Sequence, residues 1–461
     1  MFWEQKIQYA VLSDVGFRRQ NNQDSCSVVL SPDREIWQER GHLFVVADGM
    51  GGHAVGELAS KMAVDIIPHA FDKLRDQHPV HALKSAIENA NAAINERGSM
   101  NRDFLRMGTT CTTLLLSPLG AVIGHVGDSR AYRIRRRQID QLTRDHSLVW
   151  ELIEQRKVHP RDADRLYPRN VITRSLGPEP QVKVDIEGPT PVQPGDIFVL
   201  CSDGLTTLVS DPEVGMIAQE LPPPEACKLL VNLANLRGGS DNISVIVVRA
   251  GEIPQHASAP EIPIRDDGGG SWGWFAFWCA LAVLFLVGSA LLGLTEHKLV
   301  GGIILAGTVV GAIAGWWRAP RPSPDMVPDY EETGGSTIVW RPYRTAMAKV
   351  TPDFVHLLTK MQVELHHAAV DEHWPIDFSQ YEDAFKRSQQ ALNEKQYARA
   401  LRECARAIDV LMTGVLWERK QTQQKKPKPS DANVKAAEAP PVSPKTPPPA
   451  NPKPQQSASK P

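Results

Sequence analysis

Apolar and polar positions alternate in two ways along the first 250 residues. Short β-rich runs such as "HLFVVAD", "TTLLLS", "AVIGHVGD", "DIFVLCSD" and "NISVIVVRA" are bounded by turn residues and predict strands. Between them, Leu58, Met62, Ile66 and Ala70 recur at four-residue spacing and predict a helix over Glu57–Arg75, with further helices over Val80–Arg97 and Ser147–Glu154. The strand-like runs recur irregularly, so the pattern is neither a repeat nor a simple parallel βαβ alternation. It predicts a mixed α/β domain of the α+β kind over residues 1–251.

The pattern changes after a polar linker at 252–271. Trp272–Leu294 is uncharged over 23 residues, roughly 34 Å as a helix, and "TEHK" alone separates it from the uncharged run Leu299–Trp317. Together, residues 272–317 predict a transmembrane hairpin with tryptophans at its outer ends. Gly307, Gly311 and Gly315 would serve close helix packing, either within the hairpin or between two copies. Arg318 and Arg321 follow the second span while its turn carries only Lys298, so the positive-inside rule puts both flanking regions in the cytoplasm. The expected location is the cell inner membrane, with the first 250 residues and the C-terminus cytoplasmic.

A connector at 318–350 leads to a helical module at 351–420. Its first helix opens with a Thr351 cap and Pro352, its second with a Ser379/Glu382 capping box. In its third, Tyr397, Leu401, Cys404, Ala405, Ile408 and Met412 form one apolar face, suited to neighbouring helices. The last two helices resemble a single tetratricopeptide-type hairpin, without a second copy. His366, His367 and His373 fit an amphipathic surface better than a metal site. The final stretch, 421–461, is rich in proline and lysine and is expected to stay disordered.

Composition narrows the partners. A formal net charge of −2 advertises no nucleic acid. Six scattered cysteines without a CxxC pair argue against a zinc knuckle or disulfide framework and suit a reducing compartment. The first residues lack the basic-then-apolar order of a secretory signal.

The candidate chemistry lies where strands meet turns. "LFVVADGMGGH" ends an apolar run in Asp48-Gly49, "VLCSDG" ends in Asp203-Gly204, "GHVGDSR" in Asp128, and Asp241-Asn242 precede a strand. One Asp-Gly after a strand reads as a hairpin turn; the pattern recurs, and antiparallel neighbours can bring Asp48, Asp203 and Asp241 together at one sheet edge. Such a cluster repels itself unless cations neutralise it, and an oxygen-only set suits Mg²⁺ or Mn²⁺ better than zinc. Glycine beside Asp48 leaves its own carbonyl open to a second ion. In "SDVGFRRQNNQDS", Arg19 offers a fork for phosphate oxygens and Asp24 a further acid.

Taken together, "SDVGFRRQNNQDS", "VVADGMGGH", "MGTTCTTLLL", "GHVGDSRAY", "LTRDHS", "VITRSLG", "VLCSDGL" and "GGSDNISVIVV" resemble, in order from residue 13 to 248, the metal-dependent protein phosphatases. These are the type 2C serine/threonine phosphatases, here in their bacterial form. The resemblance implies a four-layer sandwich: two antiparallel β-sheets flanked by α-helices, with a binuclear Mg/Mn centre at one end. It implies that Asp48 bridges both ions, the Gly49 carbonyl binds one, and Asp203 and Asp241 bind the other. Asp128, with Asp203, matches the position of a third ion. Arg19 matches the phosphate-binding arginine, and Asp24 an acid acting through bound water; Gln23 and Asn242 lie just outside the ligands. The implied reaction is attack by a metal-bridging water on phosphoserine or phosphothreonine in proteins, opposing a serine/threonine kinase.

Two departures from the pattern stand out. Gln23 replaces an acid of the family, which would weaken one ion, and Met50 replaces the histidine proposed as general acid in eukaryotic members. Metal-bound water is then the expected proton donor. The "MGTTCTT" run reads as strand interior, which disfavours a Cys111 nucleophile. The competing readings are a membrane-tethered pseudophosphatase and a scaffold centred on the C-terminal helices.

Overall fold

The computed structural model describes residues 7–51, 53–101, 104, 106–155, 157–158, 171–251 and 342–425, with 287, 290 and 308 singly. The backbone divides into two units. One comprises Met1–Ile7, Thr190–Asp196 and Ala250–Pro342 and lies almost wholly outside the described residues. Within it, the Ala250 amide donates to the Asp196 carbonyl at 2.8 Å. The other comprises Gln8–Pro189, Ile197–Arg249 and Tyr343–Pro461. The linker, nearly all of the expected hairpin, and the tail beyond residue 425 lie outside the described residues; among those described, no helix is long and apolar enough to cross a membrane.

In the second unit, alternation along the strands builds two sheets. Strands β1 (Gln8–Asp14), β11 (Ile243–Arg249), β10 (Ile197–Cys201), β7 (Arg130–Arg135), β8 (Gln138–Gln141) and β12 (Arg344–Met347) lie side by side in that order, every neighbour antiparallel. The second sheet runs β2 (Asp24–Val29), β3 (His42–Met50), β5 (Cys111–Ser117), β6 (Gly120–Val126) and β9 (Asp185–Thr190), with the short β4 (Gly108–Thr109) beside β3. Period-two alternation gives β3 two apolar faces: Val45 and Ala47 join the helices, while Phe44 and Val46 are buried on the opposite side. Tyr9 of the first sheet meets Phe44 of the second edge to face, with centroids 6.1 Å apart.

Helices cover the outer faces. Besides a short α1 (Arg34–Arg40), α2 (His53–Lys73) and α3 (Pro79–Ser99) lay Ala59, Ala63, Ile67, Leu83 and Ile87 against Val45, Leu115 and Val122 of the second sheet. The predicted third helix is α4 (Leu148–Glu154), capped by the Ser147 hydroxyl. After α5 (Asp203–Thr206), helices α6 (Asp211–Glu220) and α7 (Pro223–Leu236) pack on the first sheet through Val214, Ile217, Leu230 and Leu233.

The C-terminal helices α8 (Pro352–Asp371), α9 (Phe378–Asn393) and α10 (Tyr397–Lys425) extend this packing. Leu401, Cys404, Ile408 and Met412, the apolar face read from the sequence, join the same buried cluster as Leu230 and Val245. The face packs on neighbouring helices as expected, and those helices include α6 and α7 of the first sheet's outer layer. Ion pairs Lys228–Asp409 at 2.9 Å and Arg402–Glu220 at 3.6 Å flank the contact. Gly215 makes room for the approach of Ala348: a Cβ there would stand 2.6 Å from the Ala348 Cβ.

Two local readings are corrected. The connector contains strand β12, whose "RTAM" shows too little apolar alternation to announce itself but hydrogen-bonds to an available edge. The cap of α9 is Asp377, whose carboxylate accepts from the Ser379 amide at 3.0 Å, not a Ser379/Glu382 box. An aspartate two residues upstream satisfies the free amides first.

Ile408→Ala, which empties a fully buried site in the cluster that α10 shares with α7, is expected to lower stability by about 2–5 kcal/mol. Urea denaturation of the full chain followed by tryptophan fluorescence measures it; a loss under about 0.5 kcal/mol, the range of ordinary surface changes, would mean that α10 is not part of this core.

Candidate metal centre

At one end of the sandwich, four chain segments bring carboxylates together. Asp48 lies near the end of β3 and is the register partner of Asp24 on the neighbouring β2. Asp203 follows the end of β10, and Asp241 precedes the start of β11, its antiparallel neighbour. The acids therefore meet at the facing ends of two sheets rather than along one sheet edge, because β3 belongs to the second sheet and β10 and β11 to the first.

The backbone at Asp48 is held on both sides. Its amide donates to the Thr110 hydroxyl at 2.9 Å, and its carbonyl accepts from the Thr110 amide at 2.8 Å and the Thr109 hydroxyl at 2.9 Å. Gly49 donates its amide to the Gln23 carbonyl at 3.1 Å. A Cβ at Gly49 would collide with the Gly56 carbonyl and stand 2.7 Å from the Gln23 carbonyl. Glycine is required there by close approach, besides leaving its own carbonyl unshielded. Gly204 is similarly confined by the Asn242 carbonyl.

Asn242 ties the arginine loop to this frame. Its side-chain oxygen accepts from the Gln23 amide at 2.9 Å, and its side-chain nitrogen donates to the carbonyls of Val15 at 2.9 Å and Asn21 at 3.0 Å. Arg19, half exposed on that loop, donates to the Asp241 carboxylate at 2.8 Å. Its guanidinium thus stands at the mouth of the acidic cluster.

Electrostatics show the cost of the arrangement. Burial pushes the Asp24 carboxyl up to about 7; a hydrogen bond from Ser202 at 2.8 Å works against this, while Asp203 and Asp241 repel the charge further. Asp203 is raised to about 6, by burial and then by Asp241. Asp48 and Asp128 are raised well above the ordinary value, again by burial first and then by neighbouring carboxylates. One oxygen each of Asp24, Asp128 and Asp203 is buried without a hydrogen-bond partner.

Divalent cations fit these residues. Unpartnered buried carboxylate oxygens are what a hard cation would satisfy. Among the described residues no three histidine, cysteine or acidic side chains close around a single point.

Sequence reasoning missed the supports: Ser202 on Asp24, the Thr109–Thr110 clamp on Asp48, and Arg130, which makes bifurcated contacts to Asp145 beside Asp128. All lie inside the quoted motifs, but single hydroxyls have no pattern of their own. The side chain of His53 lies outside the described residues. Burial raises the thiols of Cys26, Cys111 and Cys227 to about 12, and those of Cys201 and Cys404 also upward, so none of these is poised as a nucleophile.

With divalent ions chelated, Asp24 and Asp203 bind protons on folding, since their folded values lie above the ordinary one. Their contribution to stability is whole below about pH 4 and lost as the pH rises through about 6 to 7. Melting in EDTA between about pH 5 and about pH 8 should therefore show a falling Tm, and added Mn²⁺ should reverse it most at the upper end. A flat or rising Tm, or one indifferent to Mn²⁺, contradicts the proposed site.

Comparison with known proteins falls on the N-terminal half of the chain. The family model described as Protein phosphatase 2C matches residues 18–225. The Protein phosphatase PhpP of Streptococcus pneumoniae is 34% identical over 252 residues, covering 53% of this chain and 98% of its own. The crystal structure of the Mycobacterium tuberculosis serine/threonine phosphatase PstP/Ppp is 33% identical with a TM-score of 0.47, covering 53% of this chain and 99% of that one. A catalytic domain of the serine/threonine protein phosphatase PstP, solved in complex with 2 manganese ions, is 32% identical with a TM-score of 0.45, over 53% and 99%.

Proposed function

The chain belongs to the protein phosphatase 2C family and is a protein phosphatase of that type; from that premise we propose that it hydrolyses phosphoserine and phosphothreonine in proteins at a centre of two Mn²⁺ or Mg²⁺ ions. The observation that carries this reading is the set of carboxylates, Asp128 buried and Asp48 and Asp203 half-buried, raised by desolvation and mutual repulsion beside an exposed arginine. Without cations it is an unfavourable cluster.

Asp48, the Gly49 carbonyl, Asp203 and Asp241 would hold the two ions, and Asp128 with Asp203 a third. Bound there, the ions would supply Lewis-acid activation of water and charge neutralisation at the phosphoryl group. Arg19 orients the phosphate by a two-pronged contact, swinging from Asp241 to the substrate. Asp24, held by Ser202, keeps a carboxyl near neutrality where a proton can be taken up or released. Thr110 and Asn242 fix the backbone so that this geometry is set before substrate arrives.

The 272–317 segment is read as a membrane hairpin, holding the catalytic unit and the C-terminal helices at the cytoplasmic face of the inner membrane, and the opposing activity is that of a serine/threonine kinase. The length and lack of charge of the two apolar runs support the hairpin. Family analogy alone supports the kinase.

Asp203→Asn is expected to lower Mn²⁺-dependent hydrolysis of an aryl phosphate by the full-length chain at least a hundredfold, on the scale of losing a group that stabilises the transition state. The same substitution should weaken Mn²⁺ uptake measured by calorimetry. Retained turnover rules out the assigned role of Asp203; absence of turnover in the wild-type chain, with Mn²⁺ bound, favours the pseudophosphatase instead.

A further inference from the structure

A cavity of about 680 Å³ opens beside the acidic centre, with Asp128 and Asp203 in its lining. Part of its wall is Arg344–Ala346, which belongs to β12 and lies outside residues 18–225, the stretch matched by the family model. The strand is held there by its register with β8, Arg344 opposite Gln141 and Thr345 opposite Asp140. The Thr345 hydroxyl also donates to the Asp140 carboxylate at 2.9 Å.

Among the described residues three arginines line the space, and two are committed. Arg130 is spent on Asp145 at 2.6 Å and on Asp211 at 3.5 Å, and Arg237 on both oxygens of Glu213. The Arg344 side chain has neither a hydrogen bond nor an ion pair among the described residues. Its guanidinium lies 4.8 Å over the ring of Trp150, a contact that orients the plane and leaves the N–H edges free. The Trp150 indole N–H is itself buried without a partner. The charges left unmatched in this cavity are therefore carboxylates suited to cations near Asp128 and Asp203, and one cation at Arg344.

We propose, on the reading that the chain dephosphorylates proteins, that Arg344 is a specificity-determining residue that takes an acidic side chain flanking the phosphorylated residue of the substrate. Strand order sets the scale. From β10, which delivers Asp203, through β7 and β8 to β12 is three strand spacings, about 14 Å at about 4.8 Å each. An extended peptide advances about 3.3 Å per residue, so the acid read by Arg344 stands roughly four positions from the phosphoresidue. A neutral or basic flank would leave the guanidinium without an anion, and specificity is the difference between the two.

The test compares two phosphothreonine peptides that differ only in carrying aspartate or asparagine at the third to fifth positions on both sides. The full-length Mn²⁺-loaded chain should favour the aspartate peptide in kcat/KM by about fivefold, the size of one partly solvated ion pair. Arg344→Ala should bring that ratio close to one, Arg344→Glu should invert it, and Arg344→Lys should keep most of it. The same ranking should appear without turnover in the Kd of labelled, hydrolysis-resistant phosphonate versions of the peptides, read by fluorescence anisotropy. A wild-type ratio near one, or an equal ratio in wild type and Arg344→Glu, overturns the proposal. Failure of the wild-type chain to hydrolyse any aryl phosphate would instead sink the phosphatase reading, and this proposal with it.

Discussion

Like-charge repulsion at the end of the sandwich is the constraint around which the rest is arranged. Crowding the buried Asp24 and Asp128 against the half-buried Asp48 and Asp203 is unfavourable, and the fold nevertheless holds them in place through backbone that cannot relax: the threonine clamp on Asp48, the crowded Gly49 and Gly204, and the Asn242 ties to the arginine loop. The large apolar clusters on both sheets provide the stabilisation that offsets this local cost. A site that is uncomfortable without its ions binds them with the greater driving force, because binding removes the repulsion.

Much of this was legible in the sequence, for identifiable reasons. Asp48, Asp128 and Asp203 announce themselves because each terminates an apolar run, and α2 and α3 because their apolar residues keep helical spacing. The sheet to which each acid belongs was not legible, since strand pairing is a tertiary choice that local alternation does not encode. The Asp377 cap was missed because two acceptors compete within three residues, and the geometry of the chain entering α9 decides between them. Ser202 lay in plain view next to Asp203, yet a lone hydroxyl carries no periodicity or charge by which to single it out.

The helices after residue 351 read as a module of their own, and their own pattern is that of a helical hairpin. Their destination is different. Leu401, Cys404 and Ile408 enter the cluster that α6 and α7 form on the first sheet, and the Arg419 guanidinium reaches to 5.4 Å from the ring of Phe17, two residues before Arg19. The chain thus leaves the sheet after β11 and returns to contribute core, a cleft wall and a contact to the loop that carries Arg19. A helical domain that merely hung from the enzyme would have kept its apolar face for itself.

Strand β12 also decides what the first sheet presents to other molecules. Without it, β8 would be a bare border of unsatisfied amides and carbonyls, open to pairing with any extended chain. The returning segment fills that border with the protein's own backbone, in four residues, and presents Arg344 on the new one. A border of four residues that carries an arginine is a poorer template for edge-to-edge pairing than the longer ladder it covers.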